Sequence, residues 1–206
     1  MMKNSIHSLQ KIFILTFFGI PLYGSTQDTL HPAQEFSVQF YQGAPAIKNT
    51  SDLGIGMSPY IDRDEEKTAF QFEIDNTRPV QEAVLFIYME SASFAGPVKV
   101  DVAGDNWTTS STMELFPVTL PGTSPSTLNG SLTCTDCGNT SLDLHEYKID
   151  LTSLMTAANI QAGTDNRISF VLSSTQNMII MPRAWEILLD YPEYAMYAHK
   201  LVVTYG

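Results

Sequence analysis

Cys134-Thr135-Asp136-Cys137 is the only cysteine pair in the chain, and three kinds of chemistry use that spacing. A redox C-x-x-C opens a helix inside a βαβ unit, whereas here Gly138 and Asn139 follow and the surroundings read as a loop. Half of a zinc site needs two further ligands, and the sequence places none nearby. A local disulfide between Cys134 and Cys137 suits an oxidising compartment and is the reading favoured here. So short a loop is pinned by its bridge more than the whole domain is stabilised by it.

The densest acidic run is Asp62-Arg63-Asp64-Glu65-Glu66. Calcium takes six or more oxygens from carboxylates and carbonyls, so Asp62, Asp64, Glu65 and Glu66 are the candidate metal ligands. The run lacks the glycine and alternate spacing of an EF-hand loop, and the competing expectation is a solvated turn. Asp101, Asp105 and Asn106 form a weaker second candidate. Nothing places a carboxylate pair at glycosidase separations. Neither G-x-S-x-G nor H-E-x-x-H occurs. Beyond the leader, only His31, His145 and His199 remain, without metal-like spacing. No enzymatic activity is expected.

Sugar recognition needs flat aromatic faces on a rigid scaffold, with polar neighbours for the hydroxyls. Trp185, Tyr191, Tyr194 and Tyr197 cluster near the C-terminus, and Tyr60 and Trp107 are further candidates. Core burial is the competing reading for Trp107 and Trp185. Lys48, Arg63, Lys67 and Arg183 are the cations available to an acidic polysaccharide. Taken together, Trp185, Tyr191, Tyr194, Tyr60, Arg183 and Lys48 are the expected ligand contacts.

The elements that must position these residues begin after a leader. Lys3 and Lys11 flank a polar start, Ile12 to Ile20 is apolar, and Gly24, Ser25 and Thr26 are small. That is the order of a secretory signal peptide, assigned to residues 1–26, and the apolar run is short for a bilayer span. The expectation is a secreted or cell-surface protein without membrane insertion after cleavage. Removing Lys3 and Lys11 from 11 basic residues leaves 9 against 22 acidic ones, a formal charge of −13. Such a balance argues against nucleic acid, which requires clustered cations. Sequons at Asn49, Asn106, Asn129 and Asn139 would carry glycans only in a host that glycosylates them.

Residues 27–34 read as a loose lead-in, and residues 35–206 as one domain. Phe36, Val38 and Phe40 alternate with polar neighbours, as do Phe70, Phe72 and Ile74, then Val98, Val100 and Val102, then Leu201, Val203 and Tyr205. Period-two patterning broken by Gly, Pro, Asn and Ser predicts strands and turns. Ala83 to Met89 is apolar on both faces, and Tyr147 to Leu151 and Ile168 to Leu172 continue the series. Helix is expected only as a turn or two over Leu151 to Ala158. The fold class predicted is all-β, an antiparallel β-sandwich of jelly-roll-like form with little helix.

Ordered landmarks along this pattern resemble the carbohydrate-binding module family 96, or DNRLRE-type, domain. They are Asn49-Thr50-Ser51-Asp52-Leu53-Gly54, Thr68 to Asp75, Val80 to Met89, Trp107-Thr108, Ile149-Asp150-Leu151-Thr152, Ile168 to Ser173 and Lys200 to Tyr205. The resemblance spans Phe36 to Tyr205. Met113 to Val118 and Arg183-Ala184-Trp185-Glu186 depart from the family pattern, which bears on the ligand more than on the fold. The resemblance implies a secreted sandwich that binds sugars, often as an attachment module beside an enzyme, with some members associated with alginate. The expected function is therefore non-catalytic binding of a polysaccharide or cell-surface glycan, with calcium as the candidate cofactor. The alternative is a structural or adhesion subunit of the cell envelope or matrix that self-associates through an exposed strand edge.

Overall fold

The computed structural model describes residues 25–50, 53–56, 65–89, 96–117, 126–139, 141, 144–155, 166–175, 179–181 and 196–206. These residues form an antiparallel β-sandwich. Its strands are β1 (Thr26–Leu30), β2 (Gln34–Tyr41), β3 (Ala44–Asn49), β4 (Leu53–Ile55), β5 (Glu65–Glu73), β6 (Val80–Met89), β7 (Pro97–Ala103), β8 (Thr127–Ser131), β9 (Thr133–Cys134), β10 (His145–Asp150), β11 (Arg167–Ser174), β12 (Ile179–Met181) and β13 (Lys200–Tyr205). One sheet has the order β1-β13-β6-β10-β9 and the other β3-β2-β5-β11-β7-β8, with β4 and β12 paired as a separate ribbon. The chain crosses between the sheets repeatedly, and among the described residues every strand pair is antiparallel.

Alternation decides what lies between the sheets, because neighbouring residues of a strand face opposite ways. Leu85, Ile87, Leu201 and Val203 come from one sheet, Phe70, Phe72, Phe170 and Leu172 from the other, and all are fully buried. Burying each such side chain stabilises the fold by about 1.5–3 kcal/mol. Phe70, Phe72 and Phe170 form an aromatic chain with centroid spacings of 6.3 and 6.4 Å. The β4 ribbon adds Leu53 and Ile55 to the same core.

One local feature departs from the sequence expectations, and another agrees with them. A strand begins on Thr26, the last residue assigned to the leader, and continues through the lead-in: Thr26 to Leu30 pair with Tyr205 to Leu201. Its composition is polar because pairing with β13 and an ion pair hold it at the sheet edge. Arg78 reaches Asp28 at 2.8 Å and Asp75 at 2.6 Å while lying over the Tyr205 ring. The turn expected at Leu151 is a single one, with Leu154 and Met155 N–H donating to the Leu151 carbonyl; residues 156–165 lie outside the described residues. The described residues also hold a 3-10 turn at Met113–Leu115 and a 3-10 stretch at Met196 and Tyr197.

Candidate functional site

The six-stranded sheet carries a second, smaller core on its outer face. Phe36 and Val38 of β2, Ala69 of β5 and Val171 of β11 point away from the inter-sheet space and are covered by Trp107. The Trp107 ring meets Phe36 edge-on at 5.2 Å. Its indole N–H donates to Ser169 Oγ at 3.1 Å. Gln71 Nε2 donates to the Asp105 carbonyl at 2.8 Å, and Gln34 Oε1 accepts the Thr109 N–H at 2.7 Å. Residues 105–109 are thereby strapped across the sheet. The chain then continues to Phe116, which packs edge-on against both Phe36 and Phe40.

Where the strap leaves the sheet, a groove of about 410 Å³ opens. Phe40, Met113, Phe116 and Val171 supply apolar lining, while Lys67, Lys99, Asp101 and Glu114 supply polar groups. The charges are matched locally. Lys67 Nζ is 2.9 Å from Glu65 and stands over the Phe40 ring, and Lys99 Nζ is 2.7 Å from Asp101. Thr127 Oγ1 donates to Asp101 from β8. A hydrogen bond from Thr112 holds the exposed Glu114 carboxyl below its ordinary range. A second depression of about 310 Å³ lies against Glu65, Lys99, Asn129 and Ser173. Lys99 lines both, so together they form a track over β5, β11 and β7 towards β8.

The sequence candidates fall out differently. Lys48 serves the fold: its ammonium donates to the Thr109 and Ser111 carbonyls and lies 4.6 Å over the Phe36 ring. Burial lowers its pKa. Glu65 and Glu66 open β5 instead of occupying a solvated turn, and as strand neighbours they face opposite ways. Glu65 lies on the track. Glu66 points inward and is 3% exposed. Its carboxylate accepts bonds from Ser37 Oγ at 2.6 Å, Gln39 Nε2 at 3.0 Å and Asn49 Nδ2 at 3.1 Å. A calcium ion needs oxygen acceptors around it, whereas these neighbours donate hydrogens. Glu65 and Glu66 therefore do not converge on one ion. Tyr60, Asp62, Arg63, Asp64, Arg183, Trp185, Tyr191 and Tyr194 lie outside the described residues.

Of the remaining aromatics, Trp107 is 2% exposed and belongs to the outer-face core. Tyr197 packs edge-on against Tyr88. The Tyr88 hydroxyl donates to Glu146 at 2.6 Å, and Lys200 Nζ lies 3.2 Å from the same carboxylate. Burial and that carboxylate push the Tyr88 phenol above its ordinary value. Burial opposes the Glu146 carboxylate, but bonds from Tyr88 and Thr135 and the nearby Lys200 keep its pKa below the usual range. Of the sequons, Asn106, Asn129 and Asn139 are exposed, whereas Asn49 is half-buried and bonded to Glu66.

The Cys134 and Cys137 sulfurs lie at disulfide distance, with Cα atoms 5.8 Å apart. Sequence reading finds no further ligand near them, yet the β9–β10 pairing brings His145 alongside. Sγ of both cysteines, a carboxylate oxygen of Asp136 and a ring nitrogen of His145 lie within 4.8 Å of one another. The only sequence signal was a histidine two residues before the alternating Tyr147 and Ile149. No protein-family model matches the chain, and no curated protein matches it closely enough to count as a relative.

Proposed function

We propose that this protein is a secreted, non-catalytic module that binds a polysaccharide along the outer face of its six-stranded sheet. The observation that carries the reading is the track through Lys99: two adjoining depressions with apolar walls and paired charges. Such a surface suits a chain of sugar units, whose C–H faces lie on apolar side chains while their hydroxyls meet Lys–carboxylate pairs. Secretion rests on the leader-like residues 1–26, and the sugar-binding class is what the resemblance to carbohydrate-binding module family 96 implies. The absence of catalytic motifs in the sequence supports a binding role.

Lys67 and Lys99 each already face an acid, and the chain is strongly acidic overall. A neutral glycan is therefore favoured over a polyanion. The test is a glycan array with the mature protein, with calcium and again with chelator. Binding to a neutral polysaccharide that Phe116→Ala and Lys99→Ala both weaken would support the proposal. No binding to any glycan, or binding unchanged in both variants, would overturn it.

A second reading has its own observation. β3 is an edge strand whose Ile47 is 43% exposed, and Tyr41 at the end of the neighbouring β2, opposite Ala44, is 45% exposed. An open strand edge is a template for another strand, so a self-associating matrix or envelope subunit is the alternative. Pro45 and Lys48 on the same strand work against open-ended pairing. Concentration-dependent growth in light scattering, abolished by Ile47→Lys, would favour it over the glycan reading.

A further inference from the structure

We propose that, once the Cys134–Cys137 pair is reduced, Cys134, Asp136, Cys137 and His145 bind one divalent ion of the zinc class. Strand geometry makes the arrangement. Cys134 pairs directly with Tyr147, and His145 lies two residues earlier on the same face of β10. Both His145 and Tyr147 point inward and are buried. The turn after β9 returns Asp136 and Cys137 to this point. It is closed by the Asn139 N–H donating to the Asp136 carbonyl at 2.8 Å.

A second observation points to a ligand. The His145 side chain is 5% exposed, and its Nδ1 is buried without a hydrogen-bond partner. It faces the cluster, 3.4 Å from Asp136 Oδ1. A buried nitrogen left in this way costs about 1–3 kcal/mol, and a metal bond would satisfy it. Asp136 is held for the same task, because its Oδ1 accepts the Glu146 N–H at 3.0 Å. Tyr147 Oη, 3.4 Å from Cys137 Sγ, would support the sulfur from behind the ligand shell.

The donor set selects the ion. Two thiolates and an imidazole suit zinc and related ions and not calcium. Donors at zinc bond lengths in a tetrahedron stand roughly 3.3–3.8 Å apart, a small adjustment for atoms within 4.8 Å of one another. Cys-x-x-Cys is also a common half of structural zinc sites.

Disulfide and metal exclude each other, since a bonded sulfur pair offers no thiolate. A dithiol reductant supplies two electrons and two protons. Its own thiols close to a disulfide while the Cys134–Cys137 bond opens to two thiols. The ion then displaces both thiol protons to solvent and binds the two sulfurs, the Asp136 carboxylate and the neutral His145 ring. The β9–β10 hairpin is thus held by a covalent bridge in one redox state and by a metal in the other.

The mature chain would be reduced anaerobically with tris(2-carboxyethyl)phosphine and titrated with zinc chloride against a chromophoric chelator. A parallel sample would be titrated with cobalt chloride. The expected result is one ion per reduced chain, thiolate-to-cobalt charge transfer in the near ultraviolet, and no tight zinc binding by the oxidised chain. His145→Ala should weaken zinc binding at least tenfold, and Asp136→Asn provides the same reading if the histidine variant does not fold. Calcium chloride should not compete. Failure of the reduced chain to bind zinc, equal binding by oxidised and reduced chains, equal competition by calcium, or unchanged affinity in a folded variant would each overturn the proposal.

Discussion

The indole N–H of Trp107 donates to Ser169 Oγ at 3.1 Å, tying to β11 the strap from which the chain runs on to the groove-lining Met113 and Phe116. Without Trp107 the outer face of the sheet would expose Phe36 and Val38. Without Ser169 a buried N–H would lose its acceptor. Ser169→Ala should therefore destabilise the fold by about 1–3 kcal/mol, and Trp107→Ala by about 3–5 kcal/mol, both read from urea unfolding. Loss of glycan affinity should follow in Ser169→Ala even under conditions where the variant remains folded. A neutral effect of Ser169→Ala on stability would show that the bond does not anchor the strap.

Lys99 and Lys48 offer a contrast between two lysines of the same sheet. Lys99 is half-exposed on the track and paired with Asp101, an arrangement that adds about 0–1 kcal/mol to stability. Lys48 holds the Thr109 carbonyl at the end of the strap and the Ser111 carbonyl just beyond it. Lys99→Ala should reduce glycan affinity at least tenfold, about 1.4 kcal/mol, while leaving the unfolding midpoint nearly unchanged. Lys48→Ala should lower the midpoint clearly. Calorimetric titration and thermal melts of both variants distinguish the roles, and a reversed pattern would remove Lys99 from the site.

Gly54 lies directly against the buried carboxyl of Glu66. A Cβ built at Gly54 would stand 2.4 Å from Glu66 Cδ, and three hydrogen bonds keep that carboxyl from swinging aside. Gly54→Ala should cost about 1–3 kcal/mol by overpacking. In a Glu66→Ala background the same substitution should cost much less, because the obstructing group is gone; the double-mutant cycle measures that coupling. Additive effects would mean that the strain lies elsewhere.

Asp75 sets an acid-side dependence. Hydrogen bonds from the Thr77 side chain and backbone, joined by Arg78, hold its carboxyl below the ordinary range. A carboxyl whose pKa falls on folding stabilises the native state above its unfolded value, about 3.9. That contribution disappears as pH falls through the folded value. Asp75→Asn should therefore flatten the loss of stability between about pH 5 and pH 2. Because Arg78 also binds Asp28 of β1, protection of the β1 amides, measured as hydrogen exchange relative to the intrinsic rate at each pH, should fall over the same range. An unchanged acid limb in the variant would exclude Asp75 as a contributor.

Much of the sandwich is legible in the residues because period two is a local property. Phe70 and Phe72, Val98 to Val102, and Leu201 to Tyr205 announce strands by their own alternation. The strand at Thr26–Leu30 carries no such signal, since pairing with β13 and the Arg78 ion pair supply its stability from outside the segment. Alternation also cannot say which side of a sheet an apolar face meets. Phe36 and Val38 alternate just as Phe70 and Phe72 do, yet they lie under Trp107 on the outer face, while their polar neighbours Ser37 and Gln39 turn inward to Glu66.

The sequence alone determined that the chain is built of strands, is acidic beyond its leader-like start, and carries one close cysteine pair. Tertiary structure decided which side chains meet. The track joins residues of β2, β5, β7 and β11 with Met113 to Pro117, and no local pattern encodes that meeting because hydrogen-bonded strands need not be neighbours in the chain. The cysteine pair gained His145 in the same way, through the register of β10 against β9. A one-residue slip of that register would turn His145 to the opposite face, and the cluster would not exist.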